Sequence, residues 1–174
     1  MKRREAIAGL GALGVLGAGG AVAFGQLGNS EGDRIDPLEL PRIDAPGSPP
    51  GTETVPETGR VTYLSLFATW CTICQDKMDP LGEAAAAVDD DVQFVSVTNE
   101  PVGKTVDAGE VAAWWANHDG SWPVAYDEAL ELSRRVGARG VPYSVVFDAD
   151  NRVTWSDGGY QEADDILGHI PGRE

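Results

Sequence analysis

The chain has 174 residues, 42% of them apolar, which is enough for one ordinary domain core once a leader segment is set aside. Acidic residues outnumber basic ones 28 to 13, for a formal net charge of −15, and this excludes the basic face that nucleic-acid binding demands. With only two cysteines and two histidines, four-ligand zinc chemistry has too few donors at the right spacing.

Lys2-Arg3-Arg4 precede a charge-free stretch, Ala6 to Phe24, that holds six glycines and ends near the small-residue run Ala21-Val22-Ala23. Residues 1–27 read as an export signal or membrane anchor, and the stretch is long enough for either outcome. The paired arginines resemble a twin-arginine signal, although the residues after them depart from its usual Phe-Leu. Both outcomes leave the remainder of the chain extracytoplasmic, with the positive residues inside. Residues 28–59 are rich in proline and read as a linker, and residues 60–174 form the domain.

Val61 to Ala68 is nearly continuous in apolar and β-favouring residues, as in a central strand covered on both faces. It runs into Trp70-Cys71-Thr72-Ile73-Cys74, and the glycine-poor, alanine-rich stretch from Gln75 to Val88 predicts a helix after it. Val92 to Thr98 reads as a second core strand and Asp107 to Asn117 as a helix carrying Val111, Trp114 and Trp115. Trp122 to Tyr126 is a short strand, and Asp127 to Val136 an amphipathic helix with Leu130 and Val136 inward, ended by Gly137. Tyr143 to Phe147 and Arg152 to Trp155 form an antiparallel hairpin, and Gln161 to Ile170 a closing helix. The alternation is α/β.

Two cysteines three apart close too short a loop to remove much unfolded-chain entropy, so their use is chemical. At the start of a helix Cys71 and Cys74 lie one turn apart, where they can bridge and reopen with little backbone movement. Free N–H groups and the positive end of the helix dipole stabilise a thiolate on Cys71 and lower its pKa below the free value of about 8.5. Cys71 is therefore the attacking sulfur. Cys74, shielded by Met78 and Pro80, resolves the mixed disulfide and frees the partner as a dithiol.

Phe67-Ala68-Thr69-Trp70-Cys71-Thr72-Ile73-Cys74, together with Gly140-Val141-Pro142 and the order of elements between them, resembles the thioredoxin superfamily over residues 38–172. The resemblance is to its TlpA/ResA-like thiol-disulfide oxidoreductases. It implies a thioredoxin-like α/β fold, a central mixed β-sheet flanked by helices. The stretch from Asn99 to Tyr126 then corresponds to a central helix-strand insertion, and Leu38 to Val55, turning at Gly47-Ser48, to an N-terminal β-hairpin; a proline-rich tether is the other reading of that segment. The resemblance also implies that Pro142 is cis and faces the cysteines, that the Val141 backbone pairs with substrate, and that Trp70 offers an apolar platform. Ser65, six residues before Cys71, stands where thioredoxins have a buried acid. Glu100 matches an acidic position near the cysteines and is the candidate for exchanging the Cys74 proton. Pro80 follows Cys74 by six positions where five is usual, which shifts the expected kink.

These readings together give a thiol-disulfide oxidoreductase that needs no cofactor beyond its redox-active Cys71-Cys74 pair and no metal. By resemblance it is a reductase of exported protein disulfides, with apocytochrome c cysteines one candidate client and a membrane dithiol as electron donor. Thr72-Ile73 matches neither the Gly-Pro of reducing thioredoxins nor the Pro-His of strong oxidants, whose pairs span about 150 mV, roughly 7 kcal/mol for two electrons. The rival reading is an extracytoplasmic copper-binding module using the same two sulfurs. Peroxidase chemistry is disfavoured because Ala68, not threonine, lies three before Cys71. The charge balance, with ten arginines to three lysines, resembles that of a halophile's protein, in which molar salt shortens the screening length to about 3 Å.

Overall fold

A computed structural model of the chain describes residues 32–172. The export-signal expectation for residues 1–27 lies outside these residues, and among the described residues no helix is long and apolar enough to cross a membrane.

Strands β1 (Leu38–Pro41) and β2 (Thr52–Val55) pair antiparallel as a two-stranded sheet, so this segment is a hairpin rather than a tether. Next come β3 (Val61–Phe67), α1 (Thr72–Asp76), α2 (Met78–Ala87) and β4 (Val92–Thr98). After them run α3 (Ala108–Asn117), β5 (Val124–Tyr126), α4 (Glu131–Arg135), β6 (Tyr143–Phe147), β7 (Val153–Gly158) and α5 (Ala163–Gly168). The main sheet has the order β5-β4-β3-β6-β7, parallel across β5, β4 and β3 and antiparallel from β3 to β6 and β7. This is the mixed sheet of a thioredoxin-like fold, with α3 and β5 in the place of the expected insertion.

β3 is central, which explains its near-continuous apolar sequence: every residue from Thr62 to Phe67 is buried. Alternation along the strands then separates two cores. Tyr63 and Phe67 of β3, Phe94 of β4 and Val146 of β6 pack with Cys71, Cys74, Met78 and Trp115 on one face. Leu64, Leu66, Val95, Val97, Val145 and Phe147 pack with Leu132 and Val136 on the other.

The hairpin covers the outer edge of β5. Ile43 N donates to the Val124 carbonyl at 2.8 Å, while the buried Ser48 hydroxyl bonds both the Val124 N–H and carbonyl at 3.1 Å. An edge that would otherwise offer unpaired groups is thereby closed. Gly47 (φ 73°) makes the approach: a Cβ there would overlap the Ser121 carbonyl. Trp115, fully buried on α3, donates its indole N–H to the Pro46 carbonyl at 3.2 Å and ties the insertion to the hairpin turn.

Two local expectations are corrected. The helix expected over Gln75–Val88 is two helices broken at Lys77, because the Pro80 ring lacks an N–H for the Asp76 carbonyl and crowds it. Pro80 instead sits in the first turn of α2, where a missing N–H costs nothing. Leu130 does not face inward; it is 40% exposed with φ 54°. The buried Asp127 carboxylate accepts from Glu131 N (3.0 Å) and Leu132 N (2.8 Å), so α4 starts later and turns Leu132 into the core.

Candidate active site

The site is built where β3 ends against α1. Cys71 (φ −90°, ψ 109°) is the N-cap of α1, one residue before the helix rather than in its first position. Its sulfur accepts the Cys74 N–H at 3.1 Å, the bond a capping oxygen would ordinarily accept. Cys71 and Cys74 are bridged, with Cα atoms 5.2 Å apart. Cys71 keeps 7% of its surface and Cys74, in the core cluster with Met78, only 2%, so an approaching group meets the first cysteine before the second. The pair is flanked by exposed apolar side chains, Trp70 at 72% and Ile73 at 51%.

Val141–Pro142 is a cis peptide and brings the second motif to the first: the Val141 carbonyl oxygen lies 3.7 Å from Cys71 Sγ. Pro142 itself is buried, and Val141 is half-buried beside a surface groove of about 480 Å³. Gly137, Arg139, Gly140, Tyr143 and Gly158 complete its walls.

Glu100 is buried at the end of β4, and both its oxygens are engaged. They accept from Thr69 N (2.7 Å), Thr69 Oγ1 (2.9 Å) and Thr98 Oγ1 (3.0 Å). The carboxylate thus grips the residue two before Cys71. Expected as a proton acceptor for Cys74, Glu100 is placed by these contacts on the turn that carries Cys71.

Beneath the helix, on the same sheet face, three serines line up across neighbouring strands: Ser96 of β4, Ser65 of β3 and Ser144 of β6. Ser65 Oγ is buried and has no partner among the described residues. Ser96 accepts the Trp122 indole N–H at 2.9 Å, and Ser144 shares a hydrogen bond with the Tyr63 hydroxyl at 2.8 Å. Burial pushes the Tyr63 phenol up, only partly offset by that hydrogen bond, so it stays protonated at any pH of interest.

Ser144 also accepts from Lys77, whose side chain has no exposed surface at all. Lys77 Nζ donates to Ser144 Oγ (2.7 Å), Gln161 Oε1 and the Gly159 carbonyl (3.3 Å), which uses all three ammonium protons. Burial lowers its pKa to about 8, with Asp157 pulling weakly the other way. This lysine locks the break between α1 and α2 to β6 and to the β7–α5 connection.

Among the described residues no group of three or more His, Cys, Asp or Glu side chains converges in a way that could hold a metal. What the arrangement can do is disulfide exchange: a capped sulfur in a slightly exposed residue, a more deeply covered one behind it, and a backbone carbonyl alongside.

The Redoxin family profile matches residues 30–167, spanning both motifs and every element of the main sheet. The chain belongs to the Redoxin family. Its fold is similar to StoA from Bacillus subtilis, at 17% identity and a TM-score of 0.66 over 77% of this chain and 96% of that one. The exposed lipoprotein thioredoxin of Streptococcus pneumoniae is similar at 24% identity and 0.65, covering 76% of this chain and 96% of its own. A secreted Mycobacterium tuberculosis disulfide oxidoreductase is similar at 16% identity and 0.62, covering 76% and 92%. Redoxin membership and a bridged CxxC pair in that fold make the protein a thioredoxin-like thiol-disulfide oxidoreductase.

Sequence reasoning placed Cys71, Cys74, Trp70, Val141 and Pro142 around one site, and the structure brings them together. It missed Lys77, Thr69 and Ser144. Ser65 carried the available hint: a polar residue in the middle of a buried strand needs polar neighbours, and its cross-strand partner is Ser144. Nothing in the local sequence marks Lys77, because its burial follows from a helix break that aims it at β6.

Proposed function

We propose that this oxidoreductase acts as a reductase of disulfides in exported proteins, on the outer side of the cytoplasmic membrane. The observation that carries the reading is the asymmetry of the pair. Cys71 Sγ accepts a backbone N–H at 3.1 Å, and Cys71 keeps 7% of its surface against 2% for Cys74. In the reduced protein the same N–H stabilises a Cys71 thiolate. That thiolate attacks one sulfur of the client disulfide, forming the Cys71–client bond and releasing the other client sulfur as a thiolate that takes up a proton. Cys74, losing its proton, then attacks Cys71 Sγ, closes the Cys71–Cys74 bond and expels the second client thiol. Two electrons pass to the client, and a membrane dithiol donor returns the pair to its reduced form.

Trp70 supplies the apolar platform for the client chain, and the Val141 backbone beside Pro142 holds the segment next to the attacked cysteine. Glu100 holds Thr69 and so fixes the approach of Cys71. Export through a twin-arginine signal in residues 1–27, left as an anchor or cleaved, matches the setting of the two similar proteins described as exposed and secreted. Apocytochrome c cysteines are one client class that fits, and high salt is the working medium that fits the charge.

The test is insulin disulfide reduction in molar salt by wild type, Cys71→Ser and Cys74→Ser. Turnover is expected from wild type alone, with Cys74→Ser accumulating a mixed disulfide with its client. Turnover that survives loss of Cys71 refutes the reading, and stoichiometric Cu(I) binding without turnover replaces it with the copper module.

A further inference from the structure

Among the described residues, Arg139 and Arg34 are the cations that no side-chain hydrogen bond or ion pair holds, and of the two Arg139 lines the groove beside Val141. Arg42, Arg60, Lys104 and Arg135 are each paired with a glutamate, and Arg134 and Arg152 donate to backbone carbonyls. Arg139 is exposed and has neither an ion-pair nor a hydrogen-bond partner among the described residues. In a chain with 28 acidic and 13 basic residues, partners for a surface arginine are abundant, so its isolation reflects where it sits. It lines the groove beside Val141 and Pro142, between Gly137 and Gly140, which have no side chains to reach it. No acidic residue lines that groove. The nearest in sequence, Asp157, is turned to its own surroundings and accepts from Gly158 N (2.9 Å) and Gln161 Nε2 (3.4 Å).

We infer that this groove is a specificity subsite for the client polypeptide, in which Arg139 receives an aspartate or glutamate side chain close to the cysteine being reduced. The inference rests on the disulfide-exchange reading above. Val141 lines the groove and its carbonyl lies 3.7 Å from Cys71 Sγ, so the residues flanking a client cysteine bonded to Cys71 come next to the groove. At about 3.3 Å per residue of extended chain, a carboxylate within about three residues of that cysteine meets the guanidinium. Arginine suits the task because its planar fork binds a carboxylate through two parallel N–H donors. Tyr143, held by a hydrogen bond from its hydroxyl to Ser156 Oγ (3.0 Å), supplies a fixed part of the same groove wall. The protein's overall charge of −15 favours basic clients at long range, so a local preference for acidic ones is a sharp signature.

The experiment measures kcat/KM for the reduction of three disulfide peptides, identical except for Glu, Gln or Lys two residues from the attacked cysteine. Wild type, Arg139→Gln and Arg139→Glu are compared at the lowest salt at which circular dichroism shows all three folded. Wild type should prefer Glu over Gln by about two- to fivefold, the range of an exposed ion pair. Arg139→Gln should lose the preference and Arg139→Glu reverse it. A rise in salt should shrink the wild-type preference. The same order of peptides in wild type and Arg139→Glu, or a wild-type preference for Lys, overturns the inference and leaves disulfide exchange standing. Failure of wild type to reduce any of the peptides overturns the exchange reading, and the subsite with it.

Discussion

Replacing Lys77 by methionine removes the one cation that is completely buried among the described residues, and its effect on stability should depend on pH in a definite direction. Lys77 has its pKa lowered from the ordinary 10.5 to about 8, chiefly by loss of solvent. At 1.36 kcal/mol per pH unit, that depression corresponds to about 3 kcal/mol of destabilisation of the native state, fully present below pH 8, where folded and unfolded chains both carry the proton. Above pH 8 the native state gives up its proton while the unfolded chain keeps its own. The unfolded state then binds more protons, and stability rises until about pH 10.5. Between pH 7.5 and 9.5 the wild type should therefore gain about 2 kcal/mol that Lys77→Met does not. Methionine is an unbranched, apolar replacement that fills much the same space. Urea unfolding at constant high salt, on oxidised protein so that neither cysteine titrates, measures the difference. Tyr63 does not interfere, because burial moves its titration above this window. Wild-type and variant curves that run parallel from pH 7.5 to 9.5 would refute the claim that this lysine is desolvated.

Glu100→Ala strands the Thr69 N–H and hydroxyl, so it should cost about 1–3 kcal/mol of stability and lower kcat/KM as the Cys71 turn loosens. Glu100→Gln should restore most of both while leaving the pH–rate profile unmoved; a displaced profile would assign Glu100 the proton exchange instead. Trp70→Ala, at a position 72% exposed, should change stability by less than about 0.5 kcal/mol. The same variant should raise KM for a protein disulfide about fivefold, yet leave exchange with a small dithiol unchanged. Circular dichroism from molar to 0.1 M salt should show loss of structure as screening fails, and equal stability across the range would contradict the halophilic reading of the charge.

Much of the fold could be read from periodicity, because each element's burial pattern follows from its place. β3 is buried on both faces and reads as an unbroken apolar run. α3 carries its own start signal, an Asp107–Glu110 capping box, and stripes Val111 and Trp115 inward. The two cysteines were legible for the same reason: three-residue spacing at a strand-to-helix junction is a local property that leads directly to a bridge. α4 was misread because its start depends on Asp127, whose carboxylate folds back from the end of β5 and rotates the buried face from Leu130 to Leu132.

The sequence by itself therefore determined the order of elements, the reactive pair and which sulfur is to be covered, since all three depend on neighbours within about one helical turn. Tertiary structure alone decided that Glu100 grips Thr69 and that Lys77 is buried against Ser144 and Gln161, whereas the meeting of Val141 with Cys71 was legible only through the family resemblance. Those contacts join residues 31 to 84 positions apart. Side-chain chemistry says what such groups can do, but only the packing of strands and helices says which of them meet.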